Sequence, residues 1–499
     1  MIRILSGPSI EAEDEQAVRS ALSRWDGRSC LDVDPEIAFV AWDASRRLHL
    51  VQRDSLGSGT VYRRQKREAV SFSGTMPSLF EAGDLPRLSP RGVAVFLAMQ
   101  FCPAPTTVVE TVTKLLPGEQ RVEDAGGRLK HRRIVPAIRF GSAEPGGLDA
   151  RECLDSIYRA VARRASGRAV ASLLSGGIDS TTNLVGLLRS GIEPAACTAS
   201  FADPAFDERD AAAEVAGHLG LPLRTRLVGV QEPGFLQHLA ATVREPICDR
   251  ALIPTALLLA GAEEAILVTG EGGDELWGPP RRWPAAASGG SAFPLQAYIE
   301  AISCSTAEVR ARLLGDRALV RDADCGLSGD LERVAEESLA RTDYERAKAI
   351  QMFGWFAENV QVKDQAAAAA SGLELVLPLV HRSARAMMES LAASRHYELT
   401  RSKALLRGYL SDQVPQAVLQ RPKRKFKVPA ALWRTDGLMR GIEEACSSQG
   451  GVLGGILDYP ALVEAARQAD FDERILWGLF VLRFWFDRLL REVSARPST

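Results

Sequence analysis

Ser175-Gly176-Gly177-Ile178-Asp179-Ser180 decides the reading of this chain. It stands between a short apolar run, Val170–Leu174, and a helical pattern, Thr181–Arg189. Two glycines let a backbone approach a ligand closely. The helix N-terminus behind them offers unpaired N–H groups and a positive dipole end, a combination that suits phosphate. Ser175 and Ser180 add hydroxyl donors. Asp179 is the odd member, because a carboxylate beside a phosphate is repulsive unless a hard cation such as Mg²⁺ lies between them. The spacing is not GxxxxGK[ST], so this is not the P-loop of kinases and GTPases. A Gly-rich turn with a Ser/Asp helix cap is the plainer alternative.

A second segment, Thr269-Gly270-Glu271-Gly272-Gly273-Asp274-Glu275-Leu276, also follows a strand pattern, Ala265–Val268. Its plainer alternative is an acidic turn. Around the two segments the patterns alternate: helix Arg151–Ala165, strand Ala195–Phe201, helix Glu208–Leu219, strand Arg224–Val228, then a long helical stretch through Ala262. Such alternation predicts a parallel sheet wrapped by helices. Loops at the carboxyl ends of parallel strands share one edge, so Asp179 and Asp274 are expected to face one another across a nucleotide and share a metal. From about Leu295 onward the periodicity is almost all helical, and the alanine run in Gln365–Ala370 reads as a tightly packed helix.

The 499 residues allow two to four domains at roughly 100–200 residues each. Lys+Arg is 61 and Asp+Glu is 63, a net charge of −2, which excludes a chain built mainly to hold nucleic acid or an anionic membrane by bulk charge. No apolar run approaches the roughly 18–20 residues of a membrane span. The N-terminal MIRILSGPSIEAEDE turns acidic at once and carries no apolar signal core. The 8 Cys and 6 His are scattered without a CxxC pair, so neither a disulfide framework nor a zinc pattern is visible. A cytoplasmic location is expected. Composition shifts once, at Gly141–Gly147. Before it, short runs such as Ile37–Trp42, Leu48–Arg53 and Ala69–Ser73 are bounded by turn residues, as in antiparallel sheet. The expected division is a smaller, mainly antiparallel α+β domain over 1–140 and an α/β domain over 148–499.

SGGIDS followed by GEGGDE resembles the synthetase domain of the asparagine synthetases and their relatives, the β-lactam synthetases and lasso-peptide cyclases. The resemblance continues in Phe206-Asp207-Glu208, in Ala216-Gly217-His218-Leu219-Gly220, in Lys403-Ala404-Leu405-Leu406-Arg407, and in Arg421-Pro422-Lys423-Arg424-Lys425-Phe426-Lys427-Val428-Pro429. It covers about 35–499. It implies an ATP-pyrophosphatase fold, of the adenine nucleotide α-hydrolase kind. It also implies ATP with Mg²⁺, attack of a carboxylate on the α-phosphorus, an acyl-adenylate, and amide formation with release of AMP. On that resemblance Asp179 and Asp274 hold Mg²⁺, while Ser175, Gly176, Gly177 and Ser180 cradle phosphate, joined by Gly270 and Glu271 at the nucleotide. Leu173 and Ser200 line the adenosine site, and Lys423 stabilises developing charge. Taken alone, RPKRKFK reads as a solvated basic face. Glu374 aligns with the family's E.R.PF.D stretch and is expected to accept the amine proton or orient the group that does, with a simple ion pair as the alternative. That stretch departs from the family at Val376, Leu379 and His381, where the family has Arg, Phe and Asp. The departures argue against free aspartate as substrate.

Phe39-Val40-Ala41-Trp42-Asp43, Arg53-Asp54-Ser55-Leu56-Gly57, Pro103-Ala104-Pro105 and Lys114-Leu115-Leu116-Pro117-Gly118 resemble the family's N-terminal glutaminase domain. That domain uses an N-terminal Cys nucleophile. Here Met1 is followed by Ile2, the nearest Cys is Cys30, and the domain is shortened, so glutamine hydrolysis is expected to be lost. The favoured product is therefore a lasso-peptide macrolactam, joining a peptide's N-terminal amine to an Asp or Glu side chain. A leader-binding protein and a leader peptidase are the implied partners. A β-lactam synthetase or other small-molecule amide synthetase comes next, then an ammonia-dependent asparagine synthetase. A catalytically silent nucleotide-binding relative is the alternative outside enzymes. A tRNA-thiolating relative would carry a CxxC or a catalytic Cys near the loop, whereas Cys197 and Cys248 read as buried small residues.

Overall fold

The computed structural model describes residues 2–4, 12–81, 83–139, 149–280, 295–391, 398, 400, 402–422, 426, 428–429, 436–447, 451–468 and 471–496. The compositional break at Gly141–Gly147 lies outside them.

The first part builds two antiparallel sheets from eight strands. They are β1 Ile2–Ile4, β2 Phe39–Asp43, β3 Leu48–Gln52, β4 Tyr62–Lys66, β5 Ala69–Ser73, β6 Val112–Lys114, β7 Glu119–Asp124 and β8 Leu129–Ile134. Their orders are β1-β2-β3-β7-β8 and β5-β4-β6. The β2 strand pairs β3 from Phe39↔Gln52 to Asp43↔Leu48, so Phe39 and Ala41 share one face and are buried with Leu50 and Val122. The helix Pro90–Met99 joins this part to the rest. Ser89 caps it by accepting from Gly92 N, Pro90 fits its first turn, and its apolar side chains enter the main core.

The second part carries the parallel sheet. Its strands are β9 Val170–Leu173, β10 Ala195–Ser200, β11 Leu223–Leu227, β12 Ile266–Val268 and β13 Glu374–Val376. The order is β11-β10-β9-β12-β13 and every pairing is parallel. The chain steps outward from β9 to β11, then returns across to β12 on the other side of β9. The order in which strands are added therefore reverses between β9 and β12, while all run parallel, which places the crevice for a ligand at their carboxyl ends. Val170, Ala171, Ile266, Leu267 and Val268 are buried, as strands covered on both faces require.

The long helical stretch expected through Ala262 is two helices, Pro233–Thr242 and Leu252–Leu259, separated by an irregular segment that contains Pro246. The three-residue β13 interrupts the C-terminal region that periodicity reads as wholly helical. A run that short shows no period of its own. The alanine run belongs to helix Gln361–Ala370, with Ala366, Ala367 and Ala368 buried. The last long helix, Arg474–Ser494, drives Trp477, Phe480 and Trp485 into the core, each side chain contributing about 1.5–3 kcal/mol. No helix among the described residues is long and apolar enough to cross a membrane.

Candidate active site

The loop after β9 is shaped by close approach. Gly176 has φ +73°, and a Cβ there would stand 2.5 Å from Ala211 O. Its carbonyl accepts from Arg421 Nη1 at 2.8 Å, and Arg421 Nη2 reaches Glu214 Oε2 at 2.5 Å. Arg421 thus ties the loop to helix Arg209–His218. Ser175 N donates to Ser180 Oγ at 3.2 Å, and Ser180 Oγ donates to Gly177 O at 3.1 Å. The helix Ile178–Arg189 begins at Gly177 with no side-chain cap, the kind of helix N-terminus that can take an anion.

The loop after β12 lies against the first. A Cβ at Gly270 would stand 3.1 Å from Ser180 N, and one at Gly273 would stand 2.5 Å from Asp179 Cγ. Gly272 turns the chain at φ +84° so that Asp274 falls in the first turn of helix Gly273–Trp277. Asp179 and Asp274 face the same cation: Lys403 Nζ stands 2.5 Å from Asp179 Oδ2 and 2.6 Å from Asp274 Oδ1. Burial works to lower the Lys403 pKa, but the two carboxylates outweigh it and hold it above the ordinary lysine value. A positive charge is what this pair of oxygens selects, and the bare glycines beside it let the two loops approach closely. The donor set therefore fits Mg²⁺ held partly by protein and partly by nucleotide.

The same loop carries a third carboxylate. Glu271 pairs with Lys363, and Lys363 Nζ also stands 3.2 Å from Asp364 Oδ1. Thr269 Oγ1 donates to Asp364 Oδ2 at 2.9 Å. Burial pushes the Glu271 carboxyl up to about 8, with Lys363 pulling the other way and Asp364 and Glu275 adding to the rise. Beneath the loop, the fully buried Lys348 donates to the carbonyls of Glu275, Leu276 (3.3 Å) and Gly278 (2.8 Å), and burial lowers its ammonium pKa to about 7. Lys348 thus caps the carbonyl end of the short helix that presents Asp274.

The structure brings together Ser175, Gly176, Gly177, Asp179, Ser180, Gly270, Glu271 and Asp274. Leu173 and Ser200 end β9 and β10 on the same edge. Lys423 lies outside the described residues. Its neighbours Arg421 and Phe426 sit at this edge, Arg421 on Gly176 and Phe426 with its ring 5.9 Å from that of Phe201. Glu374 stands in an ion pair. It opens β13 opposite Ile266, at the amino end of the sheet, and its oxygens are held by Arg164 and, at 2.8 Å, Arg168. Burial opposes ionisation, yet hydrogen bonds from both arginines keep its carboxyl below the usual range. This is the simple ion pair that stood as the alternative to a proton-accepting role. His381 accepts from Ser383 N at 3.2 Å and caps the helix Arg382–Glu389. Lys403 and Arg421 fall in stretches that the resemblance singles out, although their sequence neighbours give them no role. Lys363, Asp364 and Lys348 carry no local signal at all.

In the N-terminal part Cys30 and Cys102 have thiols raised by burial, the opposite of an activated nucleophile. Every cysteine is a free thiol.

Two family models match the sequence: asparagine synthase over residues 152–487 and a glutamine amidotransferase domain over residues 12–132. Similar curated proteins include a putative glutamine-hydrolysing asparagine synthetase of Mycobacterium bovis. It is 24% identical over 95% of this chain and 79% of its own length, and the Mycobacterium tuberculosis counterpart gives the same figures. The glutamine-hydrolysing asparagine synthetase 1 of Bacillus subtilis is 24% identical over 79% of this chain and 68% of its own. The paired loops at β9 and β12, and a family match over more than half the sequence, agree: the chain belongs to the asparagine synthase family of ATP-dependent carbon–nitrogen ligases.

Proposed function

We propose that this ligase activates an organic carboxylate as its acyl-adenylate and transfers the acyl group to an amine that the substrate itself carries. On this reading the product is a peptide macrolactam. The observation that carries the activation step is the convergence of Asp179 and Asp274 on one cation, beside two glycine-rich loops at adjacent parallel strands. The Ser175–Ser180 loop and the N-terminus of helix Ile178–Arg189 receive the phosphates, and Arg421 keeps the loop in shape. Asp179 and Asp274 would hold Mg²⁺, which when bound offsets the charge of the departing pyrophosphate. Lys403 supplies fixed positive charge at the same point. A carboxylate oxygen attacks the α-phosphorus and the bond to pyrophosphate breaks. The amine nitrogen then attacks the acyl carbon, AMP leaves, and one proton passes to a base. Glu271, its carboxyl pushed up to about 8 by burial and placed in this loop, is the residue suited to take that proton.

Two features support an amine carried by the substrate rather than ammonia from glutamine. The thiols of Cys30 and Cys102 are raised by burial. Val376 at the end of β13, buried Leu379 and a helix-capping His381 stand where the family resemblance implies Arg, Phe and Asp. A leader-binding protein and a leader peptidase would supply the processed peptide. Asparagine formation is the second reading, favoured by the names of the curated relatives. The test offers MgATP with three substrates in turn: a peptide with a free N-terminal Gly and an internal Asp or Glu, aspartate with ammonium, and a β-amino acid. AMP release with loss of one water from the peptide supports macrolactam formation. Turnover only with aspartate and ammonium moves the chain to the second reading.

A further inference from the structure

One unbroken helical run joins the two halves of the molecule: Asp343–Ile350, a π-helical stretch Gln351–Val360, and Gln361–Ala370. π-helical turns are sparse in proteins and collect where a side chain must be re-aimed. One set of its side chains grips the N-terminal domain. Glu358 takes Arg53 Nη1 at 2.7 Å and Lys114 Nζ at 2.9 Å, and all three side chains are at most 1% exposed. Gln361 donates to Leu56 O at 2.5 Å and accepts from Ser58 Oγ at 2.8 Å, and Gln365 donates to Ser58 O at 3.0 Å. The loop itself is pressed onto the run: a Cβ at Gly57 would stand 2.9 Å from Ala357 Cβ. Another set grips the second active-site loop: Lys363 on Glu271, Asp364 on Thr269, and Lys348 on the carbonyls behind Asp274.

We infer that the N-terminal domain acts on the amide-forming site through this run, with Glu358 as its chief positioning residue. Arg53 cannot follow a rotating helix, because it also donates to Gly57 O at 3.1 Å, Gly59 O at 3.2 Å and Leu115 O at 2.9 Å. Lys114 is fixed in the same way by Glu245 at 2.6 Å, which also accepts from Tyr62 OH at 3.0 Å. Buried charges tolerate one register where an apolar contact tolerates several. A residue step along a helix turns a side chain by about 100°, so a slipped register would carry Lys363 and Asp364 away from Glu271 and Thr269. A domain with glutaminase ancestry is thereby kept as a scaffold for the synthetase site. The catalytic meaning of this coupling rests on the role proposed for Glu271, whereas the coupling itself does not.

Hydrogen–deuterium exchange of the full chain tests the coupling without any turnover. Glu358→Gln and the milder Gln361→Leu are compared with the wild type at peptides covering 269–278 and, as reference, 170–174. The expected result is exchange about tenfold faster at 269–278 in both variants, with the reference strand unchanged. Unchanged protection at 269–278, with faster exchange only around 54–59, would overturn the inference. With a substrate that the wild type turns over, Glu358→Gln should also move the pH midpoint of amide formation upward relative to the wild type, because Glu271 loses the Lys363 contact that lowers it. An unmoved midpoint with unchanged kcat would likewise count against it. Failure of every substrate in the wild type would refute the proposed product while leaving the exchange result to stand by itself.

Discussion

Lys403 and Asp179 are 224 residues apart in sequence, and their charged atoms stand 2.5 Å apart. The same ammonium reaches Asp274, so one cation closes a site whose two acidic loops come from different strands. Lys403 holds a left-handed backbone, φ +53°, at the start of helix Ala404–Leu410, which aims its side chain at the pair.

Lys403→Met should take from the two carboxylates the ammonium that both of them reach. Turnover to AMP is expected to fall at least about 100-fold. Unfolding stability is expected to fall by about 1–3 kcal/mol, since both aspartates keep some access to water. The sign with pH is fixed by a lysine held above its ordinary value: its stabilising charge is complete at neutral pH and is lost only as pH rises through the folded value. Calorimetry at pH 7 with an AMP assay checks both numbers, and near-normal turnover would remove Lys403 from the site.

Gly273→Ala asks whether the loops must touch. The added methyl would stand 2.5 Å from Asp179 Cγ, so one loop has to move. Affinity for MgATP, measured by titration calorimetry, should fall about tenfold or more. Gly217→Ala, in a helix with open space around the new Cβ, is the control and should bind as the wild type does. Equal affinities would separate the two loops in function.

What the sequence made legible follows from range. The Gly-Gly turn, the Ser and Asp beside it and the strand before it lie within about ten residues, and local patterns of that kind specify a strand–loop–helix junction directly. Alternation of strands and helices then implies one shared edge, which is where Asp179 and Asp274 meet. Lys403, Lys363 and Glu358 act across 129, 92 and 305 residues, and nothing in their neighbourhoods encodes the partner. The Glu374 expectation came from a motif position, but the strand register that carries it toward Arg164 and Arg168 is a tertiary fact.

Glu374→Gln separates an ion pair from a proton acceptor. Its two arginine partners keep the carboxyl ionised below the usual range, so its stabilisation is present above the unfolded value near 4.5 and fades as pH falls through the folded one. The variant should lose about 1 kcal/mol at pH 7 and less at acid pH, with turnover within about twofold of wild type. Urea unfolding at pH 7 and pH 4 reads the first part. A collapse of amide formation with normal stability would return Glu374 to the chemistry.

Glu271 carries the pH dependence. Its carboxyl is pushed up to about 8 by burial against the pull of Lys363, so the base form needed to take the amine proton grows as pH rises through about 8. Amide formation should climb over that window and level above it, while pyrophosphate exchange with the carboxylate alone should not share the slope. Glu271→Gln should keep the exchange and lose roughly 100- to 10,000-fold in amide formation. The linkage runs the other way. A carboxyl whose ordinary value of 4.5 is raised in the fold gives stability that is complete below 4.5 and drains as pH rises toward about 8. Glu271→Gln should therefore flatten the fall of stability between those two values. A rise in activity and a fall in stability over one window, both removed by one substitution, would assign the base; a variant that keeps the activity slope would place it elsewhere.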